Sequence, residues 1–291
     1  MNRKELERMI NTNRISGIDF KIKGIDLSNV NLDGMDFSNL ILENVNFKKA
    51  SLVNANFLNA TIINCDFEKA NLKESVFAYA NIENTYFTSA FLYKADFLET
   101  SLEVVNFQNT ILKRACFFNT NFKERVFLGY SNLKKVAFVN TSLKEVFLSY
   151  SRLDESSFVN SDLSNISIVE ATLKKAKISN CNLTNTSFIK CDLSSVEFKD
   201  NTIIKDTKFI KCIGNNKEVK NFKIDEVEVV LTNKKVFIDF IEIDIDKLED
   251  DKEIKNLLEE VFKKFYKEDK AVIEAKHYYN WFIKNKSYLV A

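Results

Sequence analysis

A large apolar residue recurs at every fifth position through most of the chain. Leu, Ile or Phe occupies each such position over residues 27–122, again over residues 128–198 in a frame displaced by one residue, and then at Ile204 and Phe209. Helices repeat every 3.6 residues and strands every 2, so neither produces this spacing. The chain has no proline and only 5 glycines, which argues against ordinary Pro-Gly loops. A five-residue unit that repeats in this way predicts a solenoid, in which each unit forms one side of a coil.

Two further positions of each unit follow a rule. A small or β-branched residue stands two positions before the large one, and Asn or Asp often stands directly before it. Examples are Ala-Asn-Phe-Leu-Asn at 55–59, Ala-Asn-Leu-Lys-Glu at 70–74, Ala-Asp-Phe-Leu-Glu at 95–99 and Cys-Asp-Leu-Ser-Ser at 191–195. Over residues 20–212 this pattern resembles the pentapeptide-repeat family, whose consensus is Ala-(Asp/Asn)-Leu-X-X. The resemblance implies a right-handed, four-sided β-solenoid with four units in each coil.

Residues twenty positions apart are alike, as four units per coil require. One column contains only phenylalanine, at 37, 57, 77, 97 and 117, and another contains only leucine, at 32, 52, 72, 92 and 112. Such columns predict an apolar interior packed as densely as a molecular crystal. About nine coils at a spacing of about 4.8 Å give a rod roughly 45 Å long. We therefore predict a fold dominated by β-structure, a right-handed quadrilateral β-solenoid of about nine coils.

Three regions are expected along the chain. Residues 1–19 form an N-terminal cap with a short helix over residues 3–11, because a solenoid must cover its terminal coils. Residues 20–212 form the solenoid itself. Residues 213–291 form a C-terminal α+β domain that either caps the last coil or mediates dimerisation or partner binding.

The C-terminal domain shows two kinds of periodicity. The β-like runs 219–231 and 236–245, joined by residues 232–235, predict a hairpin. From about 247 the apolar residues recur at helical spacing, which predicts a helix as far as Tyr266 and a second helix over about 269–284. The structural elements expected here are thus one hairpin and two helices.

The repeat slips by one residue within the segment 121–128. Residues 126–143 align with residues 146–163, twenty positions later, so Val126 takes the small inward position and Leu128 the large one. The extra residue therefore lies among residues 123–125, at a corner, and Arg125 is not buried. It acts as a one-residue bulge that changes the local direction of the chain. A second slip is expected between Phe198 and Ile204.

An active site is not expected. A filled apolar interior leaves no cavity to desolvate a substrate, and the single histidine, His277, lies outside the repeats, so no general base stands beside a nucleophile. We expect no cofactor and no metal, because one histidine alone makes no metal site.

The cysteine pattern and the hydropathy of the chain predict the cellular compartment of the protein. The cysteines at 65, 116, 181, 191 and 212 lack paired spacing, which favours free thiols in a reducing compartment. Neither a signal peptide nor a run of about 18 apolar residues, the length that spans a bilayer, is present in the sequence. We therefore expect a cytoplasmic protein with no membrane association.

Function must then lie on the outward positions, where two sets of residues depart from the polar norm. One set is an apolar column, namely Leu98, Phe118, Val139 and Val159. The other set is aromatic, namely Phe127, Tyr130, Phe147 and Tyr150, with Tyr86 two coils earlier. Contiguous exposed apolar residues usually mark a contact surface. We predict a non-enzymatic scaffold for an unidentified protein partner, although the C-terminal domain or a second copy of the chain would also explain both sets.

Charge argues against nucleic acid as a direct partner. Basic residues form an interrupted row on the leucine-only wall, for example Lys94, Lys113 and Lys134, which is typical of a solvated face. Resemblance to the quinolone-resistance members of the family implies an alternative, a DNA mimic that binds a type II topoisomerase. Such a mimic must be strongly negative, but residues 20–110 carry 7 basic and 11 acidic side chains, and residues 111–212 carry 16 and 10.

Overall fold

A computed structural model describes residues 1–15, 20–199, 202–204 and 207–214, the strands between residues 217 and 244, and Asn256. Helix α1 spans Arg3–Ile15. The strands, in chain order, are β1 (Lys21–Lys23), β2 (Ile41–Glu43), β3 (Thr61–Ile63), β4 (Asn81–Glu83), β5 (Ser101–Glu103), β6 (Cys116–Phe118), β7 (Asn121–Glu124), β8 (Val126–Phe127), β9 (Ala137–Val139), β10 (Val146–Phe147), β11 (Ser157–Val159), β12 (Ser167–Val169), β13 (Lys177–Ser179), β14 (Ser187–Ile189), β15 (Glu197–Lys199), β16 (Lys208–Ile210), β17 (Ile213–Gly214), β18 (Lys217–Glu218), β19 (Lys220–Ile224), β20 (Val227–Leu231), β21 (Lys235–Ile238) and β22 (Ile241–Asp244).

The strands β1 to β16 build a four-sided solenoid of about nine coils, as the sequence predicts. Each strand pairs in parallel with the strand about twenty residues later, so that each wall is a narrow parallel sheet. The walls contain the sheets β1-β2-β3-β4-β5-β7, β6-β9-β11-β13-β15, β12-β14-β16 and β8-β10. Single bridges such as Asn31 to Ser51 and Ser51 to Asn71 continue the walls where no longer strand forms.

The corners explain why so few glycines are needed. The Asn or Asp before each large residue closes the turn with its side chain, since Asp26 Oδ1 accepts a hydrogen bond from the Ser28 N–H at 2.9 Å. At most corners the second residue after the large one adopts a positive φ, for example 58° at Asn39 and 56° at Asn59. Asparagine tolerates this left-handed conformation better than most residues. Repeated Asx turns therefore replace the Pro-Gly loops that the chain lacks.

Stacked phenylalanines fill the interior. The rings of Phe37 and Phe57 lie parallel with centroids 4.9 Å apart, and those of Phe47 and Phe67 are 4.6 Å apart. Across the coil the two columns meet at right angles, as between Phe57 and Phe67 at 86°. All four rings are completely buried, and each such burial contributes about 1.5–3 kcal/mol to folding. The predicted apolar interior is confirmed.

Helix α1 covers the first coil. It begins with a reciprocal cap, in which the Glu5 N–H donates to Asn2 Oδ1 at 3.0 Å and the Asn2 N–H donates to Glu5 Oε2 at 2.9 Å. Leu6 and Ile10 are buried in the core, and the Arg3 guanidinium donates to the Asp33 carbonyl oxygen at 3.0 Å. The helix was predicted over residues 3–11 and extends to Ile15, and the Asn13 side-chain amide donates to the Met9 carbonyl oxygen at 2.8 Å in this last turn.

The predicted bulge lies within a strand. Leu102 pairs with Phe122, and the next residue, Glu103, pairs with Glu124, so the extra residue is Lys123 in β7. The prediction of an insertion among residues 123–125 is confirmed, but its placement at a corner is wrong, because the wall pairing continues on both sides of Lys123. Val126 and Leu128 are buried as predicted.

A second displacement occurs near the end of the solenoid. Asn182 pairs with Ile203, twenty-one residues later, which agrees with the predicted slip between Phe198 and Ile204. The last large inward residue, Phe209, is buried.

The strands β19 to β22 form a four-stranded antiparallel sheet. The predicted hairpin is present between β20 and β21, but each predicted β-run is divided into two strands, so the sheet has twice the expected number. The predicted helices within 247–284 and His277 lie outside the described residues, apart from Asn256, which is helical and exposed. Within the described part of the chain, no helix combines the length and apolarity that crossing a membrane requires.

Candidate protein-binding surface

The structure places the two predicted sets of outward residues on opposite walls. Leu98, Phe118, Val139 and Val159 follow the wall of the Phe57 column, and we call them the apolar strip. Phe127, Tyr130, Phe147 and Tyr150 follow the wall of the Phe47 column, and we call them the aromatic patch. Two other walls separate these columns in every coil. The eight residues are therefore two surfaces and not one site.

The aromatic patch consists of two stacked pairs side by side. β8 and β10 pair in register, which sets Phe127 beside Phe147, and their rings are parallel within 12° at 4.9 Å. The rings of Tyr130 and Tyr150 are parallel within 7° at 4.7 Å. The one-coil spacing of the solenoid is the stacking distance of an aromatic ring, so identical residues twenty positions apart stack without distortion.

Most of the patch is open to solvent. The exposed fraction is 57% at Tyr130, 52% at Phe147 and 44% at Tyr150, while Phe127 is half-buried. These residues point outward because the inward positions of the same units are taken by neighbours such as Leu128, which is completely buried. The rings therefore contribute little to the core and present apolar surface to water.

Gly129 separates the two rows of rings. It is buried, and a Cβ atom at this position would stand 3.0 Å from the Ser149 carbonyl oxygen in the next coil. This is tighter than an ordinary van der Waals contact, so a larger residue here would displace the neighbouring backbone by a few tenths of an ångström. The phenylalanine row and the tyrosine row are thus held apart by backbone that carries no side chain at Gly129.

The backbone does not favour tyrosine where it occurs in the patch. Tyr130 and Tyr150 adopt φ angles of 59° and 61°, in the left-handed region where asparagine is the commonest residue in this solenoid. An L-residue with a Cβ loses about 1–2 kcal/mol in this conformation. Lysine, glutamate and Tyr79 also occupy such corners, so Tyr130 and Tyr150 are distinguished by the combination of a positive φ with exposure and stacking.

The patch lies in an uncharged part of its wall. The three successive stretches 106–109, 127–130 and 147–150 contain no charged residue, in a chain that is 29% charged. Their outward residues include Asn106, Gln108 and Asn109, and the first of these links Tyr86 to Phe127 through two bridges of the wall. Tyrosine and phenylalanine are enriched, and charged residues depleted, at the centre of protein–protein interfaces.

The apolar strip is flatter and less exposed. Phe118, Val139 and Val159 stand in register on β6, β9 and β11, but only Phe118 is open to solvent, at 37%. A row of asparagine side chains runs beside it, and their amide N–H groups donate to the preceding coil, as from Asn140 Nδ2 to Asn119 Oδ1 at 3.0 Å. The asparagine row belongs to the corners, since these residues have positive φ angles.

Several lysines of the basic row on the leucine wall form ion pairs with acidic residues. Lys134 and Lys135 both bind Glu155, with N–O distances of 2.8 and 2.9 Å. Hydrogen bonds from these two lysines lower the pKa of Glu155 to about 2. Lys94 binds Glu74 of the preceding coil at 3.2 Å. The row is therefore a solvated, internally paired face, as its interruption by acidic residues indicates.

Two features of the patch were not predicted. One is its division into two pairs, and the other is the close backbone approach at Gly129. The sequence signal for the close backbone approach is the glycine itself, because the neighbouring coils have Gln108 and Ser149 at the equivalent position.

Comparisons with known proteins agree with the repeat. Residues 23–59 and 55–92 match the sequence model "Pentapeptide repeats (8 copies)", and residues 131–209 match the model "Pentapeptide repeat region". Together these matches span about half of the chain. A comparison with curated proteins found no match.

Several solved structures are similar to this chain. HetL, a pentapeptide repeat protein involved in heterocyst differentiation regulation in the cyanobacterium Nostoc sp. strain PCC 7120, is 18% identical; the alignment covers 76% of this chain and 100% of HetL, with a TM-score of 0.37. A pentapeptide repeat protein from the Arabidopsis thaliana thylakoid lumen is 28% identical, over 35% of this chain and 68% of its own, with a TM-score of 0.27. Full-length QnrB1, a plasmid-mediated fluoroquinolone resistance protein, is 17% identical over 68% and 92%, with a TM-score of 0.24.

Proposed function

Because this chain belongs to the pentapeptide-repeat family, we propose that it is a non-enzymatic scaffold that binds another protein through the aromatic patch. The observation that carries the proposal is the pair Tyr130 and Tyr150. Both rings are exposed, stacked and located where the backbone favours asparagine. A contact with a partner accounts for all three properties.

The Cys65 thiol is a poor candidate for a nucleophile. All five cysteines are free, and burial raises the pKa of the Cys65 thiol to about 12, so this thiol stays protonated at neutral pH. Free thiols also support a reducing compartment, so we place the protein in the cytoplasm.

The size of the patch indicates how a partner binds. An aromatic side chain has about 150–250 Å² of surface, so four rings that are about half exposed offer roughly 400 Å². One partner in a standard interface contributes about 800 Å². The patch is therefore the centre of the interface, where large aromatic side chains contribute most of the binding energy, and the partner also contacts uncharged neighbours such as Gln108.

The test is a matched pair of variants on the same wall. Phe147→Ser removes an exposed ring from the patch, whereas Ile210→Ser removes an exposed apolar side chain outside it; their exposed fractions are 52% and 42%. A protein captured from an extract of the source cells would be identified by mass spectrometry, purified and titrated against each variant. We expect Phe147→Ser to weaken binding at least tenfold and Ile210→Ser to bind like the unmodified chain.

Equal binding by both variants would contradict the proposal. The apolar strip remains a second candidate, and Leu98→Lys combined with Phe118→Lys tests it. Loss of partner binding or of self-association in that variant, with the Phe147→Ser variant unaffected, would move the contact surface to the opposite wall.

A further inference from the structure

Two of the five cysteines are neighbours in the last two coils of the repeat. Cys191 and Cys212 occupy the same corner in successive coils, just before the leucine wall. The residues that follow them, Asp192 and Ile213, form a parallel bridge, and the Ile213 N–H donates to the Cys191 carbonyl oxygen at 2.9 Å. The two cysteines are therefore stacked directly on each other, one coil spacing apart.

The side chains of the stacked cysteines are completely buried and point the same way. The Cys191 sulfur lies 3.2 Å from the Ile168 carbonyl oxygen, and the Cys212 sulfur lies 3.2 Å from the Phe188 carbonyl oxygen. Since Phe188 belongs to the coil of Cys191, the Cys212 sulfur is directed towards that coil. The coil spacing of about 4.8 Å lies within the Cα separation of about 4.4–6.8 Å that a disulfide spans.

The other three cysteines stack on residues that are not cysteine. These neighbours are Val45 and Thr85 for Cys65, Asp96 and Ala137 for Cys116, and Ser161 and Thr202 for Cys181. All five cysteines lie within the described residues. The stacking thus brings one pair of thiols together and leaves three thiols without a second thiol in the adjacent coils.

The stacked pair also holds its protons differently. The hydrogen bond between the two thiols raises the pKa of Cys191 and lowers the pKa of Cys212, whereas burial raises the pKa of Cys65 and of Cys181. The thiolate is the form of cysteine that attacks an oxidant. Cys212 also belongs to the last coil, and a terminal coil can open locally without unfolding the coils before it.

We propose that Cys191 and Cys212 form a redox site, which a peroxide oxidises to a disulfide that ties the last coil to the preceding one. The Cys212 thiolate attacks one oxygen of hydrogen peroxide, and the O–O bond breaks to give a sulfenic acid and hydroxide. The hydroxide takes up the proton that Cys212 had lost. The Cys191 thiol then attacks the Cys212 sulfur, so that the S–S bond forms, the S–O bond breaks, and the hydroxyl group leaves with the Cys191 proton as water.

The net reaction removes two electrons and two protons from the two thiols and converts one hydrogen peroxide into two waters. Cytoplasmic thiols reverse it by thiol–disulfide exchange, so the site is consistent with free cysteines in a reducing compartment. It is independent of the aromatic patch and of the proposed function.

Oxidation of the full chain tests the proposal. The reduced protein is treated with a small excess of hydrogen peroxide, its remaining thiols are alkylated in denaturant, and it is digested with trypsin, which separates the two cysteines by cutting after Lys190 and Lys211. We expect mass spectrometry to show the peptides that begin at Cys191 and Cys212 joined by a bond that dithiothreitol cleaves. Cys65 should be recovered alkylated.

Two alanine variants make the test specific. Cys191→Ala removes the second thiol of the pair, and Cys181→Ala is the matched control, because both cysteines are buried at the same position of their units. Ala171 occupies this position directly before Cys191 in its column, so alanine suits the fold. We expect Cys191→Ala to accumulate a sulfenic acid at Cys212, trapped with dimedone, while Cys181→Ala forms the disulfide like the unmodified chain.

Hydrogen–deuterium exchange measures the effect of the bond. The amides of β16 should exchange at least tenfold more slowly in the oxidised chain than in the reduced chain, because the disulfide limits the opening of the last coil, and those of β2 to β5 should not change. The proposal is overturned if Cys191 and Cys212 stay unlinked at a peroxide dose that oxidises the partly exposed Cys116. It is also overturned if the disulfides join two chains, or if exchange in β16 is the same in both forms.

Discussion

Replacing both Tyr130 and Tyr150 with asparagine should stabilise the protein while removing half of the aromatic patch. Each tyrosine has a positive φ angle, and relief of this strain is worth about 1 kcal/mol per residue. The change also removes the ring stack at 4.7 Å, which contributes about 0.5–1.5 kcal/mol, towards the lower end because both rings are exposed. The net expectation is a gain of about 1 kcal/mol in the free energy of unfolding.

Tyr79 provides the control. Its φ angle is 60° and its side chain is 50% exposed, and among the described residues no aromatic ring stacks on it. Tyr79→Asn should therefore gain about 1 kcal/mol from one substitution, since it relieves strain without losing a stack. The difference between twice this gain and the gain of the double variant measures the stacking energy.

Thermal unfolding followed by circular dichroism measures both variants, since 1 kcal/mol shifts the midpoint by about 2–4 °C in a chain of this size. Partner binding, measured in parallel, should fall at least tenfold only in the double variant. The reasoning is refuted if the double variant unfolds at a lower temperature than the unmodified chain while Tyr79→Asn unfolds at a higher one. The stack would then outweigh the strain, and the fold alone would explain the tyrosines.

Three further predictions concern the bulge, an ion pair and the topoisomerase alternative. Deleting Lys123 restores the five-residue frame between Phe122 and Leu128, so the variant should fold with an unchanged circular dichroism spectrum and a midpoint no lower than that of the unmodified chain; a large loss would show that the bulge is required. The pKa of Glu155 is lowered from 4.5 to about 2 in the folded state, so its stabilising contribution is complete above pH 4.5 and is lost as the pH falls towards 2. The difference in unfolding free energy between the unmodified chain and Glu155→Gln should therefore shrink over that range, and a constant difference would contradict the assignment. Carboxylates of the N-terminal half are bound by lysines, as Glu68 is by Lys48 and Lys69, so stoichiometric protein should neither inhibit DNA gyrase supercoiling nor protect it from a fluoroquinolone; either effect would favour the DNA mimic.

The solenoid could be predicted because each five-residue unit specifies two inward positions. Residues such as Ala55 and Phe57 have one placement that buries both, and the structure buries both completely. The bulge could be located only to three residues, since Lys123, Glu124 and Arg125 are all polar and outward. Backbone pairing, which sequence does not display, distinguishes Lys123 from the other two.

The C-terminal sheet was predicted less well for a similar reason. The run 219–231 overlaps two strands, β19 ending at Ile224 and β20 beginning at Val227, and the run 236–245 likewise overlaps β21 and β22. The sequence has neither glycine nor proline between the strands of either run to signal a turn. In contrast, the twenty-residue alignment of Phe127 with Phe147 correctly places the four aromatic residues on one wall, although it does not show that they form two pairs. That alignment could not show that Gly129 keeps the two rows apart, because the contact involves the backbone of the next coil.

The bulge at Lys123 interrupts one of the four walls of the solenoid. β7 is the last strand of its sheet, and the ring of Phe122 is tilted by 42° from that of Phe117 instead of stacking or crossing at a right angle. In a solenoid, cooperativity passes only between adjacent coils, so an interrupted wall weakens the coupling between the coils on its two sides. The other walls continue across this junction, one of them through the bridge from Asn106 to Phe127. A partner that contacts both Tyr86 and Tyr150 would bind on both sides of this junction and couple the unfolding of the two halves.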